Sequence, residues 1–439
     1  MDEMGRSPTF VVGSNRQQGT LESLQRREQH FSEQYQRNKP LCFNSKAYQK
    51  THPRKAAKGH KDADATLVSP MLSAVADGVS QIEDFGIDAS ELPNQILNAV
   101  EELAVSQLTP DEVARPGDAY RGPIALMREA YDATDAMGST TVLLAVMDNS
   151  SKIHGKLHPM IAVLSIGDCE LLVLRRCHGR SSPLEPIFHT EMQRIDGHAQ
   201  SPLQLARVDE TIDPDFTEDI AIEVIEKGSA VHCISAYEGD IIVMGSDGVF
   251  DNLFVDEIVK IVSDMLPKPY YGSKFEPCDR NLLGRIARRV VEESHAKTSP
   301  GPFGYMPDSP IGKGGKVDDT SCVVGEVVEW TEAHSTAWAQ VRRQKQWQNL
   351  FTCGGNIKPC TYGEEEEGED IVGVNGRRNY PANPNGSFSE YGGSFARLDG
   401  GSFAGVRGGG GSFASFAPRS ARASGRDEED EDEAQCSIA

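Results

Sequence analysis

Acidic residues recur in this sequence at one kind of place, directly beside a short apolar run. Asp77-Gly78 follows Leu72-Ser73-Ala74-Val75-Ala76, and Gly167-Asp168 follows the run from Ile161 to Ile166. Asp247-Gly248 follows Ile241 to Ser246, and Asp318-Asp319 precedes Thr320-Ser321-Cys322-Val323-Val324. Any single Asp-Gly pair is explained by a turn, because Asp bonds its own backbone and Gly adopts φ angles closed to other residues. Four such places at the ends of apolar strands match the needs of a hard divalent cation, which wants several carboxylate oxygens converging from rigid elements. Carboxylates without a Cys or His ligand set favour Mg2+ or Mn2+ over Zn2+. Two such ions held close together acidify a bridging water and stabilise in-line displacement at phosphorus, so phosphate ester hydrolysis is the reaction class these residues imply.

Bringing those acids together requires strands that end side by side. The run Leu67 to Ala76 reads as one buried strand, and further β-type segments follow at Ser139 to Met147, Met160 to Ile166, Glu170 to Arg175, Ala221 to Ile225, Asp240 to Gly245 and Thr320 to Trp330. Helices are predicted at Ala89 to Ser106, with Leu92, Ile96, Leu97, Val100 and Leu103 on one face, and at Gly122 to Asp135, Val255 to Met265, Asp279 to His295 and Glu332 to Phe351. Strands cluster centrally and helices flank them, without the strict alternation of a parallel doubly wound sheet. The predicted class is α+β, a four-layer sandwich of two antiparallel β-sheets flanked by α-helices.

Composition limits how much of the chain can fold this way. The sequence has 439 residues and a formal net charge of -22. Its last 77 residues, from Gly363, hold 15 Gly, 15 acids and 7 bases, a mixture that cannot bury enough apolar surface to offset chain entropy. Residues 1–40 read as a flexible arm, 41–362 as the folded domain with its closing helix, and 363–439 as a disordered acidic tail with four Gly-Ser-Phe copies, at 386, 393, 401 and 411. The net charge of -14 over residues 1–362 disfavours nucleic-acid binding. No run approaches the roughly 18 apolar residues of a membrane span. The opening Met1-Asp2-Glu3-Met4 resembles neither a signal peptide nor a transit peptide, and nine Cys without a C-x-x-C pair suit a reducing compartment.

The ordered motifs also resemble a known family. Ala74-Val75-Ala76-Asp77-Gly78-Val79, Gly138-Ser139-Thr140-Thr141, Ser165-Ile166-Gly167-Asp168-Cys169, Gly245-Ser246-Asp247-Gly248-Val249-Phe250-Asp251-Asn252 and Gly314-Gly315-Lys316-Val317-Asp318-Asp319-Thr320 are similar to those of the PPM-type, or type 2C, metal-dependent serine/threonine protein phosphatases. The Asp-Gly-Val form, with Phe85-Gly86-Ile87-Asp88, Pro202-Leu203-Gln204-Leu205 and Pro302-Phe303-Gly304-Tyr305, resembles the compact branch related to mitochondrial matrix and sporulation phosphatases. The resemblance implies that phosphoserine and phosphothreonine are hydrolysed by a water bridging two Mn2+ or Mg2+ ions, with a possible third ion. It implies that Asp77 bridges both ions, that Gly78 offers its backbone carbonyl, and that Asp247 and Asp318 complete the set. Asp64 would hold a metal-coordinated water, and Asp168 would serve the third ion.

The sequence departs from the family pattern in several places. Ala63 stands where the family has a Glu, so Ala63→Glu is expected to tighten metal dependence. The family's phosphate-holding Arg is absent near Gly59, which leaves Lys58, His60 and Lys61 as weak phosphate-binding candidates, and a Lys offers a point charge without the bidentate fork. Val79 replaces a His that follows Asp-Gly in many members, and Ser80-Gln81 replaces Gly-Gly. The alternative reading is a catalytically weak or inactive pseudophosphatase that acts as a binding or regulatory module. His154, His158, His178, His189, His198 and His232 read as surface or core residues, and Trp330, Trp338 and Trp347 as core anchors. The expected partners are phosphoprotein substrates met by a monomer, with a tail able to bind other proteins. The expected compartment is the cytoplasm, with the mitochondrion as the alternative.

Overall fold

The computed structural model describes residues 39–110, 119–153, 155–177, 183–194, 201–268 and 275–351, the last helix from 346 onward by its backbone alone. The expected arm through residue 38, the tail, and His154, His178 and His198 lie outside these residues. Ten strands build two sheets: β1 (Leu41–Lys50), β2 (Ala65–Val68), β3 (Leu72–Ala76), β4 (Val142–Asp148), β5 (Met160–Ile166), β6 (Glu170–Arg175), β7 (Glu185–His189), β8 (Ala230–Ser235), β9 (Ile241–Gly245) and β10 (Thr320–Glu329). One sheet runs β1-β10-β9-β6-β7 and the other β8-β5-β4-β3-β2, every pairing antiparallel. The main helices are α1 (Pro53–Ala56), α2 (Glu91–Gln107), α3 (Pro123–Asp132), α4 (Val255–Met265), α5 (Arg280–Ala296) and α6 (Glu332–Phe351).

Strand alternation explains the layers. Successive side chains point to opposite faces of a sheet. On β9, Ile242 and Met244 enter the main core between the sheets, while Ile241 and Val243 join a second core under α4 and α5. On β10 Val323 and Val327 go inward and Cys322 and Val324 outward. A sheet apolar on both faces has to be covered on both, and Ile258, Val262, Leu283, Ile286 and Val290 supply the outer cover. On the other side Leu92, Ile96, Leu97 and Val100 of α2, with Leu126 and Met127 of α3, are fully buried against the second sheet. The result is the four-layer α+β sandwich predicted from the sequence.

Two predicted elements differ. The run Leu67 to Ala76 is a hairpin of β2 and β3, broken where Pro70 has no N–H to give to a ladder and Ser69 N bonds Leu72 O at 2.9 Å. Ala221 to Ile225 is helical, part of a helix over Glu218–Glu223 that continues through Gly228. Ala221 and Ile225 bury one face at helical spacing, and Glu218 and Asp219 sit favourably in its first turn. The strands β1, β7 and β8 were not legible as separate strands. β8 presents exposed Val231 and Cys233 at a sheet edge, so its pattern carries little apolar signal.

Candidate metal centre

The acids singled out in the sequence gather at one end of the sandwich. Asp77 follows the last residue of β3, and Asp64 precedes β2, whose Ala65 pairs with Ala76. Asp168 follows β5, Asp247 follows β9, and Asp318 and Asp319 precede β10. Lys50 at the end of β1 pairs with Thr320 at the start of β10, so the residues just after β1 arrive beside the Asp318-Asp319 pair.

The other motif residues hold these acids in place. Asp77 O accepts from Thr141 N at 2.9 Å and Thr140 Oγ1 at 2.9 Å, so the Gly-Ser-Thr-Thr segment fixes the Asp77-Gly78 turn. A Cβ at Gly78 would stand 2.3 Å from Ala89 O and 2.6 Å from Ala63 O, which leaves no room for any other residue. A Cβ at Gly248 would meet Asp319 O at 2.2 Å, so this Gly lets the Asp247 turn lie directly against the Asp318-Asp319 backbone. Asn252 closes the assembly, with Oδ1 accepting from Lys316 N at 2.6 Å and Nδ2 donating to Lys316 O at 3.0 Å.

The electrostatics are lopsided. Asp62, Asp64, Asp77, Asp168, Asp247, Asp251, Asp318 and Asp319 form one field of interacting carboxylates, against the cations Lys55, Lys316 and Arg194. Burial first, and then the neighbouring Asp62 charge, pushes Asp64 well above the usual carboxylate range. Burial, then Asp64, Asp247 and Asp318, does the same to Asp77. Asp247 is pushed up to about 7, chiefly by burial, with Lys316 opposing. Asp168 is also raised by burial, against Lys316 and the Arg194 guanidinium, whose Nε stands 3.6 Å from its Oδ2. Asp318 is held below the usual range. Burial acts against that, and the Lys316 and Lys55 charges outweigh it.

These residues suit a hard divalent ion. Both oxygens of Asp64, Oδ1 of Asp247 and Oδ1 of Asp319 are buried without a hydrogen-bond partner. Such groups are costly unless a ligand satisfies them. The donor set is all carboxylate, as Mg2+ or Mn2+ prefers. Among the described residues no three acidic, His or Cys side chains close into an ion cage, and Lys316 Nζ lies between Asp247 and Asp318.

Other expected site residues lie elsewhere. Lys58 and His60 are exposed at the surface, with His60 Nδ1 4.0 Å from Glu83 Oε2, and Lys61 Nζ donates to Asp88 Oδ2 at 3.0 Å. The nearby cation that does meet the acids is Lys55, whose Nζ lies 2.9 Å from Asp318 Oδ1 and 2.8 Å from Asp319 Oδ2. Ala63 packs with Ile82 and Ala89 in a small apolar cluster, so the family's Glu at this place would enter that cluster. Lys55, Arg194, Asp251 and Asp319 were not singled out from the sequence. Asp319 was visible as half of an Asp-Asp pair, whereas Lys55 and Arg194 are brought in only by the fold. Of the scattered histidines, His158 is buried and bonds Ser235 Oγ at 2.9 Å, and His189 pairs with Glu170 at the edge of the centre, where Glu170 feels the charges of Asp251 and Arg194. Trp330 and Trp338 are buried, and the Trp347 side chain lies outside the described residues.

No family model matches the sequence. Among curated proteins it is 25% identical over 296 residues to probable protein phosphatase 2C 55 of Arabidopsis thaliana, covering 66% of this chain and 52% of that protein. It is 29% identical over 295 residues to probable protein phosphatase 2C 26 of Arabidopsis thaliana, covering 63% of this chain and 81% of that protein. The chain is a relative of the type 2C protein phosphatases. It spans about half the length of the first of these relatives. Among solved structures, the photosystem II phosphatase PBCP aligns at TM-score 0.45 and 23% identity, covering 65% of this chain and 98% of that one. Among the described residues no helix is long and apolar enough to cross a membrane.

Proposed function

We propose that this chain is a metal-dependent protein serine/threonine phosphatase whose centre is Asp77, Asp247 and Asp318, supported by Asp64 and Asp168. The observation that carries this reading is the excess of buried carboxylates over cations at the end of the sandwich, with the oxygens of Asp64 and one oxygen each of Asp247 and Asp319 unpartnered. When bound, two Mn2+ or Mg2+ ions supply Lewis acidity and lower the pKa of the water that attacks phosphorus in line. Asp77, Gly78, Asp247 and Asp318 would hold them.

The chain's own groups do the rest. Thr140 and Thr141 orient the Asp77 turn through its carbonyl. Asn252 fixes the backbone of Lys316. Arg194 donates to Asp251 Oδ1 at 3.0 Å and holds the Asp168 side of the centre. Val79, in place of a His, leaves no imidazole after Asp-Gly to protonate the leaving alkoxide. A net charge of -14 over residues 1–362 does not draw phosphosubstrates from a distance, so selectivity comes from local contacts.

The second reading, a silent binding module, is favoured by one observation, the apolar packing of Ala63 where the family carries a Glu. Hydrolysis of a phosphothreonine peptide by the full chain separates the two. The phosphatase reading expects phosphate release with Mn2+ or Mg2+, none with chelator, and none from Asp247→Ala of unchanged fold. No release from folded protein saturated with Mn2+ would overturn it in favour of the binding module.

A further inference from the structure

Two lysines already sit on oxygens that a metal ion would need. Lys316 Nζ bonds Asp247 Oδ2, lies 2.8 Å from Asp318 Oδ2 and reaches within 4.0 Å of Asp251 Oδ2. Lys55 Nζ takes the other oxygen of Asp318. Both oxygens of Asp318 are therefore engaged by ammonium groups, one from each lysine. A carboxylate oxygen that ligates a small divalent ion at about 2.1 Å cannot keep a full hydrogen bond to an ammonium on the same lone pair.

The two lysines are mounted differently. Lys55 belongs to α1, which is fastened by the buried His52. That ring bonds Thr298 Oγ1 at 3.0 Å, and Arg54 Nη2 bonds Thr298 O at 3.1 Å. Lys316 follows Gly314 and Gly315, both at positive φ, and its backbone is clamped on either side by Asn252. Its side chain is 36% exposed, against 20% for Lys55, so it can rotate away from Asp247 without moving the loop. Burial disfavours the charged ammonium, but Asp247 and Asp318 more than offset that, so Lys316 remains a cation.

We propose that Lys316 is an exchangeable cation: it competes with the divalent ion for Asp247 and Asp318, and on metal uptake its ammonium turns to the mouth of the centre to meet the substrate phosphoryl group. This rests on the phosphatase reading and goes beyond it by assigning the phosphate-side charge that the missing Arg leaves open. An ammonium serves there as a point charge, without an arginine's fork. Lys316 thus has two alternative partners, and its removal has opposite effects on two ligands.

The experiment is calorimetric titration of the full chain with Mn2+ alone, and of the Mn2+-saturated protein with orthophosphate, for native protein, Lys316→Met and Lys313→Met. Lys313 lies nearby, is 75% exposed and pairs with Asp308, so its replacement changes the net charge equally without touching the centre. The expected result for Lys316→Met is Mn2+ affinity about tenfold tighter and orthophosphate affinity about tenfold weaker, one ordinary ion-pair exchange in each direction. Lys313→Met is expected to stay within about twofold of native for both ligands, as an exposed, screened charge should. Mn2+ affinity in Lys316→Met equal to native, or equal to that of Lys313→Met, would overturn the exchange. Lys316→Gln repeats the test should the Met protein fail to fold. Native protein that binds no Mn2+ would overturn the phosphatase reading itself, a result distinct from a native protein that binds Mn2+ and a variant that binds it no better.

Discussion

Asp240 and Asp247 flank the same strand, β9, and their carboxylates stand in opposite electrostatic situations. Asp240 is buried and matched one to one. Arg175 Nε donates to its Oδ1 at 2.7 Å and Nη2 to its Oδ2 at 2.6 Å, while Tyr237 N donates to Oδ2 at 2.9 Å and the guanidinium lies 4.1 Å from the Tyr237 ring centre. Asp247 is also buried, yet it shares its one ammonium with Asp318 and leaves Oδ1 unpartnered. The first arrangement is what a chain builds when a buried carboxylate has only to be tolerated. The second leaves charge uncompensated, which costs stability unless something else supplies the missing positive charge. Lys345 Nζ meets the fully buried Glu101 at 2.8 Å and donates to Asn98 Oδ1 at 3.1 Å, joining α6 to α2. Balanced buried charge marks structure here, and unbalanced buried charge marks the centre.

That contrast can be broken by mutation. Arg175→Ala strands a buried carboxylate and is expected to cost about 3 kcal/mol in urea unfolding. A loss below about 1 kcal/mol would show that Asp240 does not depend on its fork. Ala63→Glu is expected to cost about 2 kcal/mol, because the new carboxylate enters the cluster of Ile82 and Ala89. Tighter Mn2+ binding without loss of stability would instead restore the family's ligand pattern. Asp64→Asn relieves repulsion within the centre, so its unfolding free energy in chelator is expected to rise by less than either of those losses while Mn2+ affinity falls. A lowered midpoint would mean that Asp64 is a structural acid like Asp240.

The smallest effect concerns pH. Burial, together with His52, pushes His295 down to about 4, so the folded protein prefers the neutral ring. Its contribution is full above the unfolded value of about 6.5 and is lost as pH falls toward 4, because the unfolded chain then binds the extra proton. His295→Gln should therefore flatten the acid side of the stability profile by an amount on the order of 1 kcal/mol relative to native. An identical profile would remove His295 from the account.

Much of this was legible because strand ends and turns leave local marks. Asp77, Asp168, Asp247 and Asp318 stood out as acids beside Gly and apolar runs, and the helices α2, α4, α5 and α6 showed their periodicity. The partners of those acids were not legible for a physical reason. Lys55 reaches Asp318 only because β1 pairs with β10, and Arg194 reaches Asp251 only because of how the chain folds after β7. The direction of Ala63 depends on packing against Ile82 and Ala89, which no local pattern encodes. Ala221 to Ile225 misled because branched residues favour strands locally, whereas burial at helical spacing decided its conformation.

The most direct test joins activity to stability in one protein. Asp77→Asn, measured beside native full-length chain for phosphate release with Mn2+ and for urea unfolding in chelator, is expected to lose at least about a hundredfold in turnover while its unfolding midpoint rises. Retained turnover, or a midpoint that falls as it would for a matched structural acid, would contradict the claim that this cluster keeps its excess charge for a metal-dependent reaction.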